Sequence, residues 1–349
     1  MENILSLRED YPILIGEVGQ AHDGSLGAAH AFIDVIADSG FDAVKFQTHI
    51  ANSESTLDEP FRKAFSKQDE NRFAYWKRME FRTSEWLELR DHAQNRGLIF
   101  LSTPFSLDAF SILKDLDVCA WKIGSGEFKS WDLVNAMIDT GLPILLSTGM
   151  SSWQEIEIMA KHIKMKGNDL VLLQCTSQYP TPLERVGLNV LSEFKNRFDC
   201  YIGLSDHSGT PWPAVAAMAR GVSTIEVHVA MHKKSFGPDV SSSLIPEELR
   251  LLSQARNTFA VMNENCVDKD SVSRSLSDVR EIFTRSVCLR QDMPAGTILS
   301  PKNLTLKKPG GGIPSDALQS LVGSQLLKDV KADRLLSWDD LALTKPRLG

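Results

Sequence analysis

The sequence predicts an α/β protein whose main part is a (β/α)8 TIM barrel, followed by a small C-terminal domain. Short apolar segments alternate with helical patterns eight times between residues 12 and 262, which is typical of a closed parallel barrel. The length of 349 residues suits a barrel of about 250 residues with an appended domain. After residue 284 the pattern changes to short strand-like pieces and turns.

Eight strands and eight helices follow from this alternation. The strands are predicted at residues 12–17, 42–47, 98–102, 119–123, 143–147, 170–175, 201–204 and 223–228. The helices are predicted at 27–39, 84–96, 107–116, 130–140, 152–166, 184–197, 213–220 and 246–262. Capping patterns begin two of them, Thr83 with Glu85 and Ser152 with Glu155.

Three segments stand outside the alternation. Residues 51–82 are too long for an ordinary loop and rich in aromatic residues, so we expect a lid or an extra helix at the active end of the barrel. Residues 263–284 are polar and rich in Ser and Asp, and they read as a linker. The predicted domains are therefore a catalytic barrel at 1–262, the linker, and a compact domain at 285–349 near the lower size limit for independent stability.

Composition excludes several classes of protein. The net charge of -7 gives no electrostatic footprint for nucleic acid or acidic lipid, and no apolar run approaches the roughly 18 residues that span a bilayer. The five cysteines are odd in number and form no CxxC pair, which indicates reduced thiols. The first ten residues carry charges where a secretory signal is apolar. We therefore expect a cytoplasmic protein with no membrane or nucleic-acid partner.

Two histidines end neighbouring predicted strands. His207 follows the segment 202–206 and His228 ends the segment 224–228, with a small helix between them, so the strands are predicted to be parallel and adjacent. Neutral imidazoles at one sheet end can ligate a divalent metal, and Glu226 points to the same face as His228. A lone strand-end histidine is more often structural, but a pair on adjacent strands favours a metal site.

Polar residues follow all eight predicted strands. Lys45 and Lys122 lie among hydroxyl groups, a combination that suits phosphate or carboxylate oxygens. The alternative is that both lysines reach solvent, or that Glu17 and Glu226 only form buried ion pairs with them. The strand-end set is Glu17, Lys45, Gln47, Ser102, Thr103, Lys122, Ser125, Ser147, Thr148, Cys175, Thr176, Ser177, Ser205, Asp206, His207, Glu226 and His228.

The order of these motifs resembles the sialic acid (N-acetylneuraminate) synthase family over nearly the whole chain. The matching segments are residues 15–19, 43–48, 102–105, 122–127, 146–150, 175–180, 203–207, 226–228 and 237–239, together with His22 and Gly24. Residues 285–349 resemble the family's antifreeze-like (SAF, β-clip) domain. The resemblance implies condensation of phosphoenolpyruvate with an open-chain N-acylated hexosamine, typically N-acetylmannosamine, and water, to give N-acetylneuraminate and phosphate.

The same resemblance implies a role for each site residue. His207 and His228 would hold Mn²⁺ or Mg²⁺, which polarises the sugar aldehyde as a Lewis acid. Glu17 and Glu226 would orient water or move protons, and Lys45 and Lys122 would act with them as catalytic residues. The residues implied to bind substrate are Gln47, Thr103, Ser125, Ser177, Tyr179, Ser205, Asp239 and Lys308. The family further implies a domain-swapped homodimer, in which the terminal domain of one chain covers the barrel of the other.

Two residues depart from the family pattern. Ser177 replaces an asparagine, and Lys308 replaces an arginine that reaches the N-acyl group. Neuraminic acid synthesis is the favoured interpretation, with legionaminic or pseudaminic acid synthesis as close alternatives. Another phosphoenolpyruvate-dependent aldol synthase would act on a phosphorylated sugar and need a second basic cluster. A sugar-binding protein without turnover has no need of both a metal pair and an anion pocket.

Overall fold

The computed structural model describes residues 11–63 and 65–342. The chain divides between Asn265 and Cys266 into two compact units. In the part of the chain that the structure describes, the first unit contains eight barrel strands, whose alternate residues face inward. They are β1 (Ile13–Gly19), β2 (Ala43–Thr48), β3 (Ile99–Pro104), β4 (Trp121–Ile123), β5 (Ile144–Ser147), β6 (Leu170–Cys175), β7 (Tyr201–Asp206) and β8 (Thr224–Val229).

These strands form a closed parallel barrel, which confirms the predicted fold class. Neighbours follow the order β3-β2-β1-β8-β7-β6-β5-β4, and β3 and β4, at the two ends of this order, lie side by side. A short strand, β9 (Ser243–Leu244), adds to the end of β8. All eight barrel strands therefore end at one side, which we call the barrel mouth.

Helices surround the barrel. They are α1 (Leu26–Asp38), α2 (Ala51–Glu54), α3 (Arg72–Met79), α4 (Thr83–Asn95), α5 (Leu107–Asp115), α6 (Trp131–Ile138), α7 (Trp153–Met165), α8 (Leu188–Arg197), α9 (Trp212–Met218) and α10 (Pro246–Glu264). One apolar core lies between helices and strands, and a smaller core that includes Ile15, Leu101 and Leu173 fills the barrel interior. Burial of these apolar faces, more than helix propensity, stabilises the elements.

Two local predictions need correction. The helix predicted at 184–197 begins only at Leu188, because Gly187 adopts a positive φ of 75° after a 3-10 turn. The cap of α4 is Arg82 rather than Thr83, since Glu85 accepts a hydrogen bond of 2.7 Å from the Arg82 backbone N–H. The capping box of Ser152 and Glu155 at α7 is confirmed.

The connection between β2 and α4 contains the predicted extra helix. It includes α2 and α3, and we call residues 51–82 the lid. Tyr75, Trp76 and Met79 are buried on one side of α3, packed with Phe61, Phe65 and Phe73. This aromatic cluster provides the lid with a small core of its own.

Up to residue 342, where the described part of the chain ends, the second unit contains two helices and four short strands. They are α11 (Lys269–Ser275), α12 (Ser277–Phe283), β10 (Ser286–Leu289), β11 (Leu304–Lys307), β12 (Gln325–Leu326) and β13 (Leu341–Ala342). β10 pairs with β11 and β12 with β13, both antiparallel, over a core that includes Val287, Leu289 and Leu336.

The segment predicted as a linker, 263–284, holds the last two residues of α10 and both of these short helices, which the polar composition alone did not indicate. The outer ends of the predicted domains, 1–10 and 343–349, lie outside the described residues. Within residues 11–63 and 65–342, the structure has no helix with the length and apolar character that crossing a bilayer requires.

Candidate active site

A buried ion network occupies the barrel mouth, centred on Lys45. Its Nζ lies 2.5 Å from Oε2 of Glu17 and 3.7 Å from Oε1 of Glu226, and it donates a hydrogen bond of 3.2 Å to Oγ1 of Thr103. Strand register brings these groups together, because Glu17 on β1 is the partner of Lys45 on β2. All four residues are buried, so the charges attract one another in a medium that screens them weakly.

Glu226 connects this network to the second lysine. Its Oε1 accepts hydrogen bonds from Nζ of Lys122 at 2.9 Å and from Oγ of Ser205 at 3.1 Å. Its Oε2 is buried and has no hydrogen-bond partner among the described residues. A buried carboxylate oxygen is costly when unpaired, so Oε2 is available to water or to a ligand.

Opposite charges control the ionisation of this network. Burial alone would raise the pKa of Glu226, but Lys122 and Lys45 outweigh it and hold that pKa below its ordinary value. Burial alone would lower the pKa of Lys45, but Glu17 and Glu226 raise it. The carboxylate and the ammonium are therefore both charged at neutral pH.

The two histidines lie side by side at the ends of β7 and β8, with ring centroids 5.2 Å apart. Nδ1 of His207 lies 3.1 Å from the carbonyl oxygen of Thr176, which can only accept, so Nδ1 carries the proton. Nε2 therefore carries the lone pair of the ring, which accepts a hydrogen bond of 3.2 Å from the hydroxyl of Tyr179. Burial, followed by the effect of His228, lowers the pKa of His207 to about 3, so the ring is neutral.

This arrangement fits a divalent cation held by few protein ligands. The neutral ring, with its Nδ1–H oriented by a backbone carbonyl, has the form that a metal-ligating histidine takes. Among residues 11–63 and 65–342 there is no group of three or more His, Cys, Asp or Glu side chains arranged to ligate a metal. His207 and His228 would therefore hold the ion together with oxygen atoms from water or substrate.

A cluster of small polar side chains surrounds Gly149, directly after β5. The backbone N–H of Gly149 donates to Oγ of Ser125 at 3.0 Å, and Ser125 contacts Sγ of Cys175 at 3.7 Å. A Cβ at Gly149 would lie 2.5 Å from Oγ of Ser177 and 2.8 Å from Sγ of Cys175. Only glycine fits in the narrow cleft between these groups, whose hydroxyls suit a phosphate or carboxylate near Lys122.

Gln47 belongs to a second hydrogen-bonded chain at the mouth. Its Nε2 donates to Oε1 of Glu17 at 2.8 Å, and its Oε1 accepts from Nε2 of Gln20 at 3.3 Å. The hydroxyl of Tyr75 in the lid donates to Oε1 of Gln20 at 2.8 Å. Gln20 was not among the predicted site residues, although it follows β1 directly and its place at a strand end could have indicated it.

Tyr179 and Asp239 lie on the side of the mouth that the lid covers. Arg62 of the lid places its guanidinium carbon 3.9 Å from the centroid of the Tyr179 ring and forms an ion pair with Oδ1 of Asp239. Phe65 and Phe236 make a second contact between lid and barrel, with ring centroids 5.7 Å apart. Sequence reasoning missed Arg62, because nothing in an aperiodic connection shows which of its residues will reach the site.

The structure brings thirteen of the fourteen predicted site residues to the barrel mouth: Glu17, Lys45, Gln47, Thr103, Lys122, Ser125, Ser177, Tyr179, Ser205, His207, Glu226, His228 and Asp239. The remaining residue, Lys308, belongs to the second unit, where its Nζ lies 5.1 Å from the centroid of the Phe283 ring. The barrel thus combines charged, metal-competent and hydroxyl groups without it.

Comparison with known proteins agrees with this inventory. Residues 32–266 match the NeuB family, and residues 284–342 match the SAF domain. The chain is 32% identical to an N,N'-diacetyllegionaminic acid synthase of Campylobacter jejuni, over 93% of this chain and 98% of that protein. It is 31% identical to the human N-acetylneuraminate-9-phosphate synthase, over 92% and 90% of the two chains.

A solved structure has the same architecture. The N-acetylneuraminic acid synthetase of Leptospira borgpetersenii, crystallised with citrate, superposes with a TM-score of 0.68 at 29% identity, covering 78% of this chain and 92% of that one. Relatives therefore match both the barrel and the C-terminal domain of this chain, over most of their own length. The chain belongs to the NeuB family of synthases and is an enzyme.

Proposed function

We propose that the protein condenses phosphoenolpyruvate with an unphosphorylated N-acylated hexosamine and water, giving a nine-carbon 2-keto sugar acid and phosphate. The observation that carries the proposal is the buried network of Glu17, Lys45, Glu226 and Lys122 beside the paired rings of His207 and His228. One half of this mouth suits an anionic donor, and the other half suits a carbonyl compound that a metal activates.

The donor would bind on the side of the mouth that holds Lys122. Lys122 is buried, and the hydroxyls of Ser125 and Ser177 lie close to Gly149. Lys45 lies between Glu17 and Glu226, with Thr103 as a further partner. Two ammonium groups and several hydroxyl donors suit the phosphate and carboxylate of phosphoenolpyruvate.

The reaction requires a carbon–carbon bond and then addition of water. Carbon 3 of phosphoenolpyruvate bonds to the aldehyde carbon of the sugar, whose oxygen gains a proton, and water adds at carbon 2 before the carbon–oxygen bond to phosphate breaks. A divalent cation at His207 and His228 would supply Lewis-acid polarisation of the aldehyde. Glu226, ionised and with Oε2 free of partners within the described residues, would accept a proton from the attacking water.

The charge balance in the lid favours an acceptor without phosphate. Arg62, Lys63 and Arg72 line one cavity there, but Arg62 is paired with Asp239, and Arg72 with Glu59 at 3.1 Å. Two of these three cations are thus already neutralised, which leaves a weak anion site. N-acetylmannosamine, giving N-acetylneuraminate, fits these demands. The Campylobacter relative favours a legionaminic acid as the second candidate product, and pseudaminic acid synthesis belongs to the same chemical class.

We further propose that the enzyme works as a domain-swapped homodimer with Mn²⁺ or Mg²⁺ as its cofactor. The resemblance to the synthase family and the compact second unit, with a core of its own, support this assembly. Lys308 would then act in the site of the partner chain.

Product analysis tests the proposed function. The full-length protein, Mn²⁺, phosphoenolpyruvate and N-acetylmannosamine should yield a compound with the mass of N-acetylneuraminate and an equal amount of phosphate. A product that retains phosphate, or phosphate release that does not depend on the sugar, would contradict the proposal. Replacing the sugar with acceptors for legionaminic and pseudaminic acids decides between the candidate products.

A further inference from the structure

Arg62 links the lid to the part of the mouth that contains the histidine pair. Its guanidinium lies over the ring of Tyr179 at 3.9 Å and is paired with Asp239. The hydroxyl of the same tyrosine lies 3.2 Å from Nε2 of His207. Arg62 is therefore connected to Nε2 of His207 through two contacts, both made by Tyr179.

The guanidinium has donors left over after these contacts. An arginine has five N–H donors, and the ion pair with Asp239 is formed through Nη2. The side chain of Arg62 is 44% exposed, whereas that of Asp239 is 13% exposed. Arg62 lines a cavity of about 80 Å³ together with the polar residues Gln20, Lys63, Arg72 and Tyr75 and the rings of Phe61 and Phe65. This volume suits a substituent of a sugar rather than a whole sugar.

The cavity is rich in donors and poor in free acceptors. Oε1 of Gln20 accepts from the hydroxyl of Tyr75, and Arg62 and Lys63 carry only donors. A hydroxyl or an N-acyl carbonyl would find hydrogen-bond donors there, in Lys63 and in the N–H groups of Arg62 that do not contact Asp239. The cavity thus matches an oxygen-bearing group.

We propose that Arg62 is a specificity-determining residue, which donates hydrogen bonds to an oxygen-bearing substituent of the acceptor sugar, at the end remote from the aldehyde. This inference rests on the proposed function, because the aldehyde must lie near His207 and His228. The substituent then lies beyond Tyr179, at the lid. Lysine cannot replace arginine here, since it lacks the planar fork that stacks on Tyr179 and donates in two directions.

The test compares the steady-state kinetics of the wild type with those of Arg62→Lys, which keeps the positive charge. We expect KM for the acceptor to rise by about ten-fold, because one hydrogen bond from a charged donor is lost. KM for phosphoenolpyruvate should stay within about two-fold of the wild-type value. The ratio of kcat/KM between acceptors that carry and lack the substituent should shrink by a similar factor.

Lys77→Ala is the matched control. Lys77 lies in the same lid, is 40% exposed and is paired with Glu80 at 3.1 Å, yet it does not line the cavity. Lys77→Ala should leave both KM values unchanged. A second test variant, Arg62→Ala, loses one positive charge as Lys77→Ala does, and it should weaken acceptor binding more than Arg62→Lys. Thermal melting of all three variants shows whether the lid remains folded.

The outcomes separate this inference from the function on which it rests. An active wild type whose acceptor KM and acceptor preference are unchanged in Arg62→Lys would overturn the role of Arg62 alone. Equal increases of both KM values would assign Arg62 to general lid closure and also overturn it. A wild type that releases no phosphate with any sugar would instead overturn the proposed function.

Discussion

Glu17 and Lys45 are register partners on neighbouring strands, and their side chains form an ion pair of 2.5 Å deep in the barrel mouth. Burying both charges costs several kcal/mol per ion before their attraction repays any of it. Lys45 also lies 3.7 Å from Glu226, so one ammonium lies between two carboxylates. This arrangement keeps charged groups buried at the place where an ionic substrate would bind.

The first prediction concerns acid stability. The pKa of Glu226 lies below its ordinary value of 4.5, because the attraction of Lys122 and Lys45 exceeds the effect of burial. A carboxylate of this kind contributes stability that is fully present above pH 4.5 and is lost as the pH falls through the lowered pKa. The free energy of unfolding measured in urea should therefore fall more in the wild type than in Glu226→Gln as the pH is lowered below 4.5. Parallel losses in the two proteins would show that Glu226 does not provide this stability.

The second prediction concerns the cleft at Gly149. Gly149→Ala places a Cβ 2.5 Å from Oγ of Ser177 and 3.1 Å from Oγ of Ser125, so both side chains must turn away. We expect KM for phosphoenolpyruvate to rise by at least about ten-fold, with a smaller effect on the acceptor. Gly126→Ala is the control, since its Cβ would meet nothing within 4 Å. Equal kinetics in the two variants would remove the Gly149 cleft from the donor site.

The third prediction concerns the metal. His207→Ala and His228→Ala should lower metal-dependent turnover by at least about 100-fold and weaken Mn²⁺ binding in calorimetry, while far-UV circular dichroism remains unchanged. His162→Ala is the control, because His162 hydrogen-bonds Asn135 at 2.8 Å on the outer helices. Mn²⁺ affinity equal to that of the wild type in either strand-end variant would contradict the assignment of the metal site.

The fourth prediction concerns the domain-swapped dimer. Lys308→Ala and His207→Ala should each be weakly active alone, but mixed dimers should regain activity, because an intact barrel of one chain then meets an intact terminal domain of the other. Random mixing gives about half mixed dimers, each with one complete site, hence about a quarter of the wild-type rate. A mixture no more active than the average of the two variants would contradict the swap.

The barrel was predictable because its pattern is local and repeated. Strand segments such as 42–47 and 170–175 are short and rich in apolar residues, and they became β2 and β6 with at most one residue of difference at either end. Parallel strands end at one side, so residues as distant in sequence as Glu17 and Glu226 could be assigned to one site. The helix start at Leu188 was missed, because the left-handed conformation of Gly187 depends on its surroundings.

Contacts made by the lid were not predictable in this way. Arg62 lies in a connection without periodicity, and its position over Tyr179 depends on how the aromatic cluster of the lid packs. Which lysine pairs with which glutamate could not be predicted either. Lys122 contacts Glu226 only because β4 and β8 belong to one closed barrel. Sequence indicated which groups meet at the mouth, whereas tertiary packing decides which atoms are paired.

The most direct test of the account is phosphate release from phosphoenolpyruvate with Mn²⁺, measured against unphosphorylated and 6-phosphorylated N-acyl hexosamines. The account predicts release that depends on an unphosphorylated sugar and is stoichiometric with the nine-carbon acid formed. Release that occurs only with a phosphorylated acceptor, or with no sugar at all, would contradict it.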